Sequence, residues 1–191
     1  MALSIKKDWP LFALLGGLVA VAFWQRETVV QTSGDIVQGA GQIVSRVVST
    51  LTRGFRNNNP LNIRVGQDWQ GETVGNTDGA FEQFTSPEYG YRAGCRILDN
   101  YRTRYGFNSV SQIVRRWAPP SDNNPTDAYA AYVAGRLGVG VDVYLGTENE
   151  NTMAALMDAL TRFENSRLQP YGNEVILQGI RLARGELQLW A

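Results

Sequence analysis

The chemistry open to this chain is set first by what it lacks: it has no histidine and one cysteine, Cys95. A His-dependent Ser or Cys nucleophile is therefore excluded, as are a His-ligated zinc and an internal disulfide. Cys95 falls beside Ile97 and Leu98 in a segment of helical spacing and reads as a packed, inert thiol. Catalysis must run on carboxylates, hydroxyls, amides, Lys or Arg, and no metal site or cofactor is expected.

Glycoside cleavage fits such an inventory. It needs a carboxyl whose pKa is raised by apolar surroundings, with a second carboxylate, amides or water to steady the oxocarbenium-like state. Glu164 matches best. It follows Leu156, Leu160 and Phe163 on an apolar helical stripe that Asn165, Ser166 and Pro170 bring to a stop, so desolvation and the negative helix pole both disfavour its charged form. A solvated helix-end Glu is the plainer reading. Glu72, Asp78, Glu82 and Glu88 form a second pool, with Glu72 singled out beside Trp69 and Gly71; a solvated turn carboxylate is its alternative. Glu164 and Glu72 are the catalytic candidates.

A glycan cleft also wants aromatic platforms and planar amides. Trp69, Tyr89, Trp117 and Tyr171 can serve as platforms, and Asn58, Asn59, Asn62 and Gln70 as amides. Asn58, Asn59, Trp69 and Tyr171 are the substrate-binding candidates, although for any one of them a core or turn role is the plainer reading. Three of them fall in RNNNPLNIRVGQDWQG, residues 56–71, which reads as the polar lip of such a cleft.

These residues must be positioned by a mostly helical α+β domain. Short extended pieces at Leu61–Val65 and Thr73-Val74, set among Asn, Gly, Thr and Asp, predict a small β-hairpin. Helices are predicted over 89–105, over 110–117 with Ser109 as N-cap, through Tyr129, Tyr132, Val133 and Leu137, over 152–164, and over 173–184 with an Asn cap.

The 191 residues allow one ordinary domain and a small addition. Lys plus Arg equals Asp plus Glu, 18 against 18, so net charge recruits no nucleic acid. Residues 9–24, WPLFALLGGLVAVAFW, carry no charge and end in Trp at both sides, as a single transmembrane anchor would. The span covers roughly 24 Å against a hydrocarbon core of roughly 30 Å, a gap that a thin bilayer closes. A signal peptide is disfavoured because no small-x-small cleavage site follows; a buried or interfacial helix is the other alternative. Residues 28–53 carry apolar pairs at sevenfold spacing and read as an amphipathic stalk or a helix-packing face. The expected organisation is a 1–27 anchor, a 28–53 stalk and a 54–191 domain.

The blocks RGFRNNNPLNIR, DWQGE, FEQFTSPEYGYRAGCRILDNY, VSQIVRRWAPPSDNN and AYVAGRLGV resemble a family of small bacteriophage and prophage proteins, called virion structural proteins, with a lysozyme-like, peptidoglycan-degrading character. The resemblance spans residues 54–184. The first block also resembles the Asn-Asn-x-x-x-Ile segment and Trp-x-Gly of autolysin and flagellar-type glucosaminidases. In those the catalytic Glu ends a helix upstream, whereas residues 34–55 contain no Glu; a circularly permuted arrangement would supply Glu164 instead. The resemblance implies a lysozyme-like fold, a muramidase or lytic transglycosylase acting on peptidoglycan during infection, and a location in the virion. Together with the 9–24 segment it implies contact with lipid and with other virion proteins. The alternatives are a non-catalytic structural protein of a viral membrane or capsid, and a wall-binding module.

Overall fold

A computed structural model describes residues 52–186. The chain divides between Ser49 and Thr50, and every described residue belongs to the unit that follows. The elements are α1 (Arg53–Arg56), α2 (Pro87–Tyr105), α3 (Val110–Trp117), a 3-10 turn (Pro120–Asp122), α4 (Thr126–Leu137), α5 (Glu150–Glu164) and α6 (Asn173–Arg184).

The α5 helix organises the core. Its Met153, Leu156, Met157 and Leu160 recur at helical spacing and are wholly buried, because α2, α4 and α6 all pack against it. Around them lie Tyr91 and Leu98 from α2, Ile113 and Val114 from α3, Tyr129 and Val133 from α4, and Ile176 and Ile180 from α6. Asn149 caps α5 by accepting from the N–H groups of Asn151 and Thr152 at 2.9 and 3.1 Å. The α2 helix begins with Pro87 in its first turn and ends at Gly106 in the left-handed region, φ 68°.

The most extensive helix pairing is α2 with α6, and a glycine makes it possible. A Cβ on Gly179 would lie 2.4 Å from Tyr91 Cβ and 2.8 Å from the Glu88 carbonyl oxygen. Gly179→Ala must therefore push the helices apart, at about 1–3 kcal/mol, against roughly 1 kcal/mol gained in helix propensity. A fall in Tm of several degrees is expected in thermal unfolding; an unchanged or higher Tm would show that the pairing tolerates the methyl.

The five longer helices run over the segments whose apolar spacing indicated them, but the fold class does not hold. The expected architecture, a lysozyme-like α+β domain with a β-hairpin behind an N-terminal transmembrane helix, is corrected to an all-helical one. Among the described residues there is no strand; antiparallel pairing is confined to isolated bridges, Arg64 with Phe81, Glu72 with Phe84, and Ser109 with Tyr144. No helix among them is long and apolar enough to cross a membrane. The 9–24 segment lies outside the described residues, as does the 28–53 stalk except for Thr52 and Arg53.

The hairpin fails to form for a local reason: side chains occupy the backbone groups that a ladder would use. The Asn59 amide takes the N–H and carbonyl of Ile63 and the carbonyl of Glu82. Asn76 takes the Phe81 carbonyl, and Gln83 the Thr77 N–H. What remains is a loop pinned by separate backbone bonds, among them Glu82 N to Ile63 O at 2.9 Å, Val65 N to Ala80 O at 3.2 Å, Thr73 N to Gln83 O at 2.9 Å and Thr85 N to Gly71 O at 2.8 Å. Of the two expected caps, Ser109 occupies the N-cap of α3 as expected, though without a side-chain cap bond, whereas α6 is preceded by Gly172, with Asn173 already inside the helix.

Candidate functional site

The pinned loop forms one wall of an open cleft of about 780 Å³, within the usual range for ligand sites. Asn62, Arg64 and Trp69 line it from the loop, Ile97, Asn100, Tyr101, Arg104 and Tyr105 from α2, and Arg116 and Trp117 from α3. The α2 contribution follows an i, i+3, i+4, i+7, i+8 pattern, so one helical stripe past the buried core face turns toward the cleft. Asp122 and Asn124 stand on the far side, and Glu164 completes the lining.

Glu164 is the last residue of α5, and both carboxyl oxygens are held. Oε1 accepts from Tyr129 OH at 2.9 Å and from Trp117 Nε1 at 3.3 Å, and Oε2 accepts from Asn62 Nδ2 at 3.2 Å. The Tyr129 ring is itself fixed, stacked on Phe163 at a centroid distance of 3.7 Å. Burial pushes the Glu164 carboxyl above its usual range, and the bonds from Asn62, Tyr129 and Trp117 pull only partly against that shift. The result is a carboxyl disposed to hold a proton while facing a cleft, an arrangement suited to general acid catalysis. Burial likewise raises the Tyr129 hydroxyl well above its ordinary value, so it acts as a neutral donor.

A prediction follows from that bond. Tyr129→Phe removes a donor that favours the Glu164 carboxylate, so the Glu164 titration midpoint is expected to move further up. Carbon-13 NMR of the Glu164 carboxyl reads the shift directly; an unmoved midpoint would show that the hydroxyl does not govern its acidity.

The other sequence candidates are distributed unevenly. Trp69 lines the same cleft as Glu164, whereas Glu72, Asn58, Asn59 and Tyr171 are not among the lining residues. Glu72 turns back on its own loop, accepting from Trp69 N at 2.7 Å. Asn58 adopts φ 49° and donates to the Phe84 carbonyl at 3.0 Å. Asn59 is fully buried, with its amide engaged by Ile63 and Glu82. Tyr171 packs edge-on against Phe55 and Tyr91, at 5.6 and 6.2 Å between centroids, and burial raises its hydroxyl to about 12.

The remaining carboxyls are occupied elsewhere. Asp78 accepts from Asn57 at 2.9 Å and faces Arg53 at 3.5 Å, and the Asn57 bond holds it below the ordinary value. Glu82 is buried and accepts from the Gly66 N–H at 3.1 Å; burial, then the nearby Glu72, push it up. Glu88 lies in the first turn of α2. Cys95 is buried, and burial lifts its thiol to about 12, out of reach of thiolate chemistry at neutral pH. Among the described residues no group of three or more Asp, Glu or Cys is placed to hold a metal ion.

Two partners of Glu164 carried weaker sequence signals than the candidates. Asn62 stood in the asparagine run as one amide among several, and Tyr129 matched only a core stripe. Nothing local marked either as a carboxyl donor.

Fold and cleft together define a small helical domain with the Glu164 carboxyl enclosed by amide, indole and phenol donors. No family model matches the chain. Protein P5 of Pseudoalteromonas phage PM2 is 39% identical to it over 136 residues, 69% of this chain and 82% of that protein. The chain belongs to the same family of bacteriophage proteins as Protein P5.

Proposed function

We propose that this phage protein is a virion-associated enzyme that cleaves the glycan strand of host peptidoglycan, with Glu164 as its acid and base. The observation that carries the reading is the Glu164 carboxyl, its acidity suppressed by burial, at the edge of a cleft walled by Trp69, Trp117, Tyr101 and Tyr105. Such rings stack on pyranose faces, and their presence beside a carboxyl whose acidity burial weakens matches the needs of glycoside cleavage.

Among the described residues, Glu164 and the exposed Asp122 are the carboxyls that line the cleft, which favours lytic transglycosylation over a paired-carboxylate mechanism. Protonated Glu164 gives its proton to the glycosidic oxygen as the bond to the anomeric carbon breaks. A hydroxyl of the same sugar then closes on that carbon, and its proton returns to Glu164. No water is consumed, so the product is lighter by one water than that of hydrolysis.

The test is clearing of purified sacculi by wild type and Glu164→Gln, with the released fragments weighed by mass spectrometry. Clearing by wild type alone, with anhydro ends, is expected. A second reading, a non-catalytic structural protein of the virion, is favoured by the kinship with Protein P5 and by the three internal donors on Glu164, which a purely structural carboxyl would also have. It predicts no clearing by either protein.

A further inference from the structure

We infer, resting on the glycan-cleavage reading, that the cleft selects wall glycan bearing its peptide stems, whose carboxylates are bound by Arg64, Arg104 and Arg116. All three arginines line the cleft. Several arginines elsewhere in the domain find carboxylates, Arg115 with Asp127, Arg136 and Arg162 with Asp158, and Arg181 with Glu150, while Arg96 donates to the Ala183 carbonyl and Arg167 lies over Tyr132 and Phe163. The cleft arginines have no carboxylate partner among the described residues. Arg64 lies 5.1 Å from the Phe81 ring centre and Arg116 5.7 Å from that of Tyr105, so aromatic faces support both guanidiniums; Arg116 also bonds the Tyr101 hydroxyl, which engages only part of its five-donor fork.

The charge around the site is one-sided. Three guanidiniums face a single rim carboxylate, Asp122, whenever Glu164 holds its proton. Sugar hydroxyls and acetamido groups offer these charges only neutral acceptors, whereas a carboxylate matches a guanidinium in shape and can take two parallel hydrogen bonds from it. Peptide stems place carboxylates beside the sugar chain at regular intervals, so one ligand can occupy the aromatic platforms and the arginines together. The placement of Arg104 three residues from Tyr101, on the same stripe of α2, sets a cation next to a stacking ring.

The test uses the full chain with purified sacculi before and after amidase removal of the stems, which leaves on the glycan only the lactyl carboxylate of each muramic residue, and reads co-sedimentation and fragment release. Wild type is expected to prefer stem-bearing material about tenfold, the low end for a charged hydrogen bond, and to lose that preference as salt rises. In the double variant Arg104→Gln/Arg116→Gln the ratio between the two preparations should fall close to one, chiefly through KM. Both residues are exposed, so an unchanged thermal melt serves as the folding control. Cleavage of both preparations at equal rates, or a variant that keeps the preference, would overturn the inference and leave glycan cleavage standing. Arginine-dependent sedimentation without cleavage by wild type would support the inference and remove the enzymatic reading. A single-stranded oligonucleotide bound more tightly than stem-bearing sacculi would overturn it in favour of a nucleic-acid ligand.

Discussion

Replacing Glu164 by Gln is expected to lower the rate of sacculus clearing about a hundred- to ten-thousand-fold, the usual contribution of a positioned general acid. The substitution keeps the shape and removes the titrating proton. Its one geometric conflict is the new amide nitrogen facing Asn62 Nδ2, which now donates to Oε2 at 3.2 Å. A flip of the Asn62 amide resolves it, turning toward that nitrogen an oxygen that has no hydrogen-bond partner in the wild-type protein, with loss of the longer bond, 3.4 Å, from Asn62 Nδ2 to the Glu164 backbone carbonyl. The Tyr129 and Trp117 donors can remain on the amide oxygen. The variant should therefore fold, and lost clearing would report chemistry rather than collapse.

Stability supplies an independent check. The folded-state pKa of Glu164 is raised above 4.5 by burial, so the folded protein binds that proton more tightly than the unfolded chain. Its stabilising contribution is complete below about pH 4.5 and is lost as pH rises through the raised value. Glu164→Gln has no such loss. Across that window the melting temperature of wild type should fall relative to the variant, in favour of Gln at neutral pH. Parallel Tm-against-pH curves would show that the carboxyl is not held protonated. The same ionisation should set the alkaline limb of the activity profile.

The second large effect concerns the asparagine run. Asn59→Ala is expected to cost about 3 kcal/mol, since the N–H of Ile63 and the carbonyl of Glu82 would lose their partner inside the protein, while the Ile63 carbonyl keeps the Glu82 N–H. For a domain of this size that is a drop in Tm of roughly 10 °C, readable by circular dichroism. A substrate-contacting amide would instead raise KM with little change in Tm, so the pair of measurements separates the two roles. Loss of the clamp should also loosen the loop that carries Trp69 and Asn62 into the cleft.

These residues mark how far local pattern reaches. The helices were legible because helix formation with a buried stripe is encoded over four to eight residues, as in Met153, Leu156, Met157 and Leu160. Glu164 was legible for the same reason, as a carboxyl ending such a stripe. The loop was not. Its β-branched pieces argued for a hairpin, but Asn59, Asn76 and Gln83 intercept the backbone groups that strands would pair, and side-chain competition of that kind leaves no periodic trace. The asparagines were equally ambiguous: identical amides at 58, 59 and 62 bind, respectively, a loop carbonyl, a buried clamp and the Glu164 carboxyl.

By itself the sequence determined which chemistry was possible, through the absence of histidine, where the helices run, and that Glu164 ends an apolar stripe. The tertiary structure alone decided which groups surround that carboxyl. Asn62, Trp117 and Tyr129 lie 102, 47 and 35 residues from it along the chain, and the contacts depend on how α3, α4, α5 and the pinned loop close on one another. A helix is specified by neighbours within two turns, whereas a site assembled from four elements is specified by their packing, which no local window of the chain contains.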